Sequence, residues 1–210
     1  MPLAPTIRRC WLLLALAAAP AAAQKTLDVP SPLGAFSVQR VLVLPVQFLQ
    51  GDSMSMVSPD QWGKVRKQLD DSIGAAIAGR GIGRRWGYAA DVVRTSKRNA
   101  LYAGDPYALG AQQMRGTVVP RSEDKLNATL AGNIRMIIAL DEARYVLLPV
   151  ELRMEKKGLS QRAVLRLALL DARLGQIAWL GEVASDAVTA YSPAVINSLA
   201  ARVADLVLAK

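Results

Sequence analysis

The sequence predicts an α/β fold: a mixed sheet of about five strands, with an antiparallel C-terminal meander and helices packed on it. Three observations carry this. RVLVLPVQF at 40–48 is a near-continuous apolar run, as in a strand buried on both faces. Trp62, Val65, Leu69, Ile73 and Ile77 recur at helical spacing. Three apolar or alternating segments between Tyr145 and Ser185 are joined by short turn sequences.

Taken in order, residues 1–23 have the layout of a secretory signal peptide. Arg8 and Arg9 precede the apolar run Trp11–Ala19, and Ala21-Ala22-Ala23 puts small residues at an A-x-A cleavage site. Cleavage is expected after Ala23, leaving no membrane span and placing the chain in the periplasm or outside the cell. Whether export is general or uses the arginine pair stays open. Residues 24–39, with Pro30, Pro32 and Gly34, are expected to form a flexible linker, and 40–210 a single domain.

Within that domain Pro45 marks a strand end or edge. Ser58-Pro59-Asp60-Gln61 offers a cap, a first-turn proline and a capping-box glutamine to the helix carrying Trp62–Ile77. Gly79–Gly83 should end it. Tyr88–Thr95 (YAADVVRT) reads as a second strand, and Asp105-Pro106 opens a short helix to Met114. Ser122 is expected to cap a helix over Glu123–Leu140, with Leu126, Leu130, Ile134 and Ile137 inside. The meander comprises Tyr145–Met154, Arg162–Leu170 and Ile177–Ser185, with turns at Glu155–Gly158 and Asp171–Gly175. On its middle strand Ala163, Leu165, Leu167 and Leu169 share one face, opposite Arg162, Val164, Arg166 and Ala168. Ser192-Pro193 starts a final helix with Ile196, Leu199, Val203 and Leu206 inward.

Composition removes several chemistries. The 210 residues include no His and one Cys, Cys10, inside the expected signal. There is thus no imidazole base, no Ser-His triad and no His-ligated metal. The processed chain has no thiolate nucleophile or zinc site either. No cofactor or metal is implied. Gly79-Arg80-Gly81-Ile82-Gly83 follows a helix, whereas a dinucleotide loop follows a strand and opens a helix. Asp70-Asp71, beside Lys67, are expected to be solvated and partly paired. Asp171 suits a turn, where its side chain can accept from nearby backbone N–H groups. Ser122-Glu123-Asp124-Lys125 matches the S-x-x-K pattern of Ser-Lys hydrolases. A lysine base there needs desolvation, and capping explains the Ser better.

The unusual feature is basic excess: 26 Lys and Arg against 17 Asp and Glu, a net charge of +9. Arg84, Arg85, Trp86, Arg94, Lys97, Arg98 and Tyr102 fall within a short stretch and form the candidate partner-binding set. An export signal argues against nucleic acid. A positive surface in the envelope would meet lipid phosphates, anionic glycans or an acidic protein.

The opening strand Val41–Pro45, the strand YVLLPVEL at 145–152 and LRLALLDARLGQIAWLGEV at 165–183 form a pattern. It resembles bacterial cell-envelope accessory domains: the curli-export lipoprotein family, the lipoprotein activators of penicillin-binding proteins, and the amino-terminal domain of TolB. In such proteins an Asp-x-x-x-Gly turn, here Asp171 and Gly175, links two central strands, and a Trp such as Trp179 packs on the sheet. The resemblance spans about 40–48 and 144–209. It implies a non-enzymatic binding or assembly domain in the periplasm. Many of these relatives carry a lipid-bearing Cys that this chain lacks, so tethering is not implied. The expected function is thus an exported accessory protein that binds an envelope protein or an anionic envelope component. The alternatives are a periplasmic serine hydrolase using Ser122 and Lys125, and a structural subunit oligomerising through a sheet edge or its last helix.

Overall fold

The computed structural model describes residues 31–55, 57–83, 85–115 and 124–208. The expected signal peptide and residues 24–30 of the expected linker lie outside them. Residues 31–39 are docked: Leu33 is buried and its N–H donates to Leu206 O at 2.8 Å, while Ser31 Oγ donates to Val207 O at 3.1 Å.

The chain forms β1 (Val41–Val43), β2 (Phe48–Leu49), α1 (Trp62–Ile77), β3 (Trp86–Gly87), α2 (Ala89–Arg98), α3 (Ala128–Ala139), β4 (Tyr145–Lys157), β5 (Ser160–Asp171), β6 (Gln176–Ala184) and α4 (Pro193–Val207). Sheet order is β3-β1-β4-β5-β6, with β2 also on β4. β1 runs parallel to β3 and β4, and β4, β5 and β6 are antiparallel. The mixed sheet and its meander are those the sequence predicts.

Helices cover both faces of the sheet. On one, Val41, Val43, Leu147, Leu165 and Leu167 meet Val65, Leu69, Ile73 and Ile77 of α1 and Ile196, Leu199 and Val203 of α4. On the other, Leu42, Leu44, Val146, Leu148 and Ala168 meet Val92 of α2 and Leu130, Ile134 and Ile137 of α3. The period-two alternation of β5 therefore feeds two separate cores, as its pattern requires. Leu206 is half-buried; Val207 takes the inward position at the end of α4.

Two prolines shape the strands. Pro45 interrupts the first run, so it divides into β1 and β2. Pro149 lies in central β4, at a register shift between Pro149 and Glu151. Such a bulge is where a sheet tolerates a residue without an N–H. It also inverts the side-chain parity: Leu147 faces the α1/α4 core, and beyond the bulge Leu152 and Met154 do.

Four expected elements differ. The turn expected at Glu155–Gly158 is shorter: β4 continues through Lys157 and β5 starts at Ser160, so only Gly158 and Leu159 turn and Glu155 is a strand residue opposite Arg162. Tyr88–Thr95 is mostly helix: β3 is only two residues, and α2 starts at Ala89. Ala89, Val92 and Ser96 repeat at three and four residues and are buried together, so packing overrides the strand preference of Val92-Val93. The stretch from Asp105 is a turn, with Tyr107 N–H donating to Asp105 Oδ1 at 2.9 Å, followed by a 3-10 turn at Ala111–Met114. Helix α3 starts at Ala128, capped by Asn127 Oδ1, which accepts from Leu130 N–H at 2.8 Å. The preceding Asp124–Leu126 pairs with the sheet instead: Ile177 N–H donates to Asp124 O and Leu126 N–H to Gly175 O. Ser58 and Ser192 make no capping hydrogen bond; in each case the following proline occupies the first turn. Gly81, at φ +83°, closes the turn that ends α1, as the glycine run predicts.

Candidate functional site

The site is built on α2 and the loop after it. The inner stripe of α2 turns Asp91, Arg94, Lys97 and Arg98 outward. Arg94 pairs with Asp91. Among the described residues, Lys97 and Arg98 have no ion-pair partner; both occupy the last turn, where cations complement the helix dipole.

Asn99 ends the helix and starts the loop. Its side-chain amide donates to Thr95 O at 2.9 Å, and its carbonyl accepts from Tyr102 N–H at 2.8 Å and Ala103 N–H at 3.0 Å. This tight reversal buries Ala103 and leaves Leu101 94% and Tyr102 72% exposed.

The return limb is fastened to the core. Gln47, only 3% exposed, donates through Nε2 to Pro106 O at 2.9 Å and to Pro45 O at 2.8 Å, and accepts from Leu109 N–H at 3.1 Å. Tyr107 Oη donates to Asp70 Oδ2 at 3.1 Å, and Asp70 Oδ1 accepts from Val46 N–H at 2.9 Å. Asp70 is therefore buried rather than solvated; its neighbour Asp71 makes the expected pair with Lys67 at 2.5 Å. Burial pushes the Asp70 carboxyl up from 3.8 to about 6, against the hydrogen bonds from Val46 and Tyr107. The Tyr107 phenol is pushed up to about 12, by burial and then by the adjacent carboxylate. The Arg66 guanidinium lies 5.6 Å from the centre of the Tyr107 ring.

Between α2 and this limb is a cleft of about 490 Å³, lined by Val93, Ser96, Lys97, Ala103, Pro106 and Tyr107. Its walls are mainly apolar. Ser96 is 3% exposed, and its Oγ is buried without a hydrogen-bond partner. Among the described residues no base lies within hydrogen-bond reach of that hydroxyl, so none of them activates it as a nucleophile.

The structure divides the candidate set. Arg84 lies outside the described residues. Trp86 is buried, with Nε1 donating to Phe36 O at 3.4 Å, so it belongs to the core and not to a surface. Arg85 is exposed before the start of α2, a helix about 15 Å long, while Lys97 and Arg98 lie in its last turn and Tyr102 just beyond it. Sequence reasoning missed Asp70, Tyr107 and Gln47. Ser122 lies outside the described residues, and Lys125 is exposed on a strand-like bridge to Gln176, without the burial a lysine base requires.

Part of the basic excess serves the meander. Arg153 pairs with Glu155 at 2.7 Å and Glu182 at 2.8 Å, Arg162 with Glu155 at 2.8 Å, and Arg166 with Glu182 at 2.9 Å. Glu155 lies opposite Arg162, and Arg166 opposite Glu182, in the strand register. The Glu182 carboxyl is held down at about 2, chiefly by its hydrogen bond from Arg153. The Asp171 turn forms as predicted, Oδ1 accepting from Arg173 N–H at 3.0 Å and Leu174 N–H at 3.1 Å. Trp179 is half-buried against the core, consistent with packing on the sheet.

Among the described residues no helix is long and apolar enough to cross a membrane. No family model matches the chain, and no curated protein matches it. Among solved structures, the chain is similar to the PelC dodecamer from Paraburkholderia phytofirmans, with 13% identity over 86% of this chain and 95% of that one, at a TM-score of 0.41. It is similar to lipoprotein GNA1162 from Neisseria meningitidis, with 15% identity over 74% and 88%, at 0.38. It is also similar to the C-terminal domain of LpoB from Salmonella enterica, with 16% identity over 70% and 81%, at 0.33. These neighbours are of the kind to which the sequence resemblance points, and at such TM-scores they set no function for this chain.

Proposed function

We propose that this chain is an exported, non-enzymatic accessory protein of the cell envelope. It binds a partner protein or an anionic envelope component through the end of α2 and the loop 99–107. One observation carries the reading. Leu101 and Tyr102 are held in solvent on a loop whose two limbs are hydrogen-bonded to the scaffold, beside Lys97 and Arg98, which have no ion-pair partner among the described residues. Large apolar side chains fixed in water by a rigid support suit recognition, since binding then orders little further chain. The lack of His and Cys in the processed chain, the exposed Lys125 and the partnerless Ser96 hydroxyl support a binding role over catalysis.

The test is affinity capture from cell-envelope extracts with the full chain and a Lys97→Glu, Arg98→Glu, Tyr102→Ala variant. The wild-type chain should retain an envelope component that the variant loses. Equal recovery by both would place the binding surface elsewhere.

A further inference from the structure

We infer that the loop 99–107 docks peripherally on an anionic phospholipid surface, with Leu101 and Tyr102 entering the headgroup region and Lys97 and Arg98 lying on the phosphates. This rests on the reading of the same loop as a binding surface and names its partner.

The shape of the loop favours a bilayer over a folded protein. Leu101 and Tyr102 are adjacent, and at 94% and 72% exposed they stand on a projecting tip, not in a recess. Their side chains together can bury a few hundred Å² at most, against roughly 800 Å² per partner in a stable protein interface. A lipid interface accepts such a tip alone, because the surrounding headgroups deform around it. Tyrosine suits that depth, ring among the chains and hydroxyl in water.

Charge complements the shape. Lys97 and Arg98 precede the tip by a few residues and have no acidic partner among the described residues, and their long stems let the charged ends reach phosphate while the methylenes lie along apolar surface. Of the nearby acids, Asp91 is paired with Arg94, and Asp105 accepts from Tyr107 N–H but keeps its charge, so among the described residues two cations face one free carboxylate on this surface. Without Arg8 and Arg9 of the expected signal the processed chain still carries +7, which adds long-range attraction in the same direction. The loop is also preorganised. Asn99 fixes one limb, and Gln47 and Asp70 fix the other, so insertion orders little additional chain.

The experiment is flotation of the processed chain with vesicles of phosphatidylethanolamine and phosphatidylglycerol, and with vesicles of phosphatidylcholine alone, at low and physiological salt. Binding should be confined to the phosphatidylglycerol vesicles and weaken with salt. Lys97→Gln with Arg98→Gln should reduce partitioning about thirtyfold, at about 1 kcal/mol per cation, and Leu101→Ala with Tyr102→Ala should reduce it further. All four side chains are exposed, so the variants should fold. A Leu101→Trp variant supplies a second readout, a blue shift in emission on the anionic vesicles. No binding to phosphatidylglycerol vesicles, or binding unchanged by both double substitutions, overturns the inference. If vesicles fail while envelope capture still depends on Lys97, Arg98 and Tyr102, the partner is a protein and the surface stands. If both fail, the surface itself is wrong.

Discussion

The phenol of Tyr107 donates to the carboxylate of Asp70 across 3.1 Å, joining the loop after α2 to the middle of α1. Around this contact the other groups fall into place: Val46 N–H on the second carboxylate oxygen, Arg66 over the ring, and Gln47 binding the same loop on either side of Tyr107.

The contact makes stability depend on pH. The Asp70 carboxyl moves from 3.8 to about 6 on folding, so the folded chain binds its proton more tightly than the unfolded chain. Its contribution is most favourable below about pH 4 and is lost as pH rises through 6. Relative to Asp70→Asn, the wild-type chain should lose about 2 kcal/mol of unfolding free energy between pH 4 and 7. Urea unfolding of both chains across that window checks this; a constant difference would mean that Asp70 is not buried.

Tyr107→Phe keeps the ring and removes the hydroxyl. A hydrogen bond to a buried carboxylate is worth about 1.5–3 kcal/mol, so the variant should be destabilised by that order above pH 6. Hydrogen exchange should accelerate in residues 99–109 while α4 stays protected. Uniform acceleration through the whole chain would show that the loop is not a separate unit.

Gln47→Leu tests the other fastening. Three bonds end, leaving the carbonyl of Pro106 and the N–H of Leu109 without the partner they have now. Each unsatisfied buried group costs about 1–3 kcal/mol, so a loss of about 2–5 kcal/mol is expected by chemical denaturation. A loss no larger than that of an exposed Gln such as Gln112 would contradict the geometry.

Glu182 works in the opposite pH direction from Asp70. Its carboxyl is held at about 2 by Arg153 and Arg166, so the stability it gives is present above pH 4.5 and is lost as pH falls toward 2. The pairs are partly exposed, so the effect should be small, about 1 kcal/mol. Glu182→Gln should narrow the gap to wild type as pH falls over this range. A gap that stays constant would count against the network.

Much of the scaffold was legible in the sequence because its signals are periodic and local. The stripe Val65, Leu69, Ile73, Ile77 and the two-faced β5 can be read along a few residues. The helix at Ala89–Arg98 could not be read so easily. Val92 and Val93 favour a strand in isolation, and only burial of Ala89, Val92 and Ser96 against the sheet decides otherwise. The bulge at Pro149 is a product of pairing with β5. At the site, the exposed end was visible as Lys97, Arg98 and Tyr102, whereas its anchor was not. Asp70 and Tyr107 are 37 residues apart, and an Asp beside Asp71 and Lys67 reads as solvent-facing. Trp86 misled for the converse reason: an aromatic between Arg85 and Tyr88 looks like surface until β3 pairs with β1 and buries it.

The most direct measurement places a photo-cross-linking amino acid at Leu101 in the full chain expressed in living cells, with Leu174, in the meander turn between β5 and β6, as the exposed control. A defined envelope adduct, lipid or protein, should form from position 101 and weaken when Lys97 and Arg98 become Gln. Adducts that match the control, or that ignore those two charges, would contradict a binding role for the α2 loop.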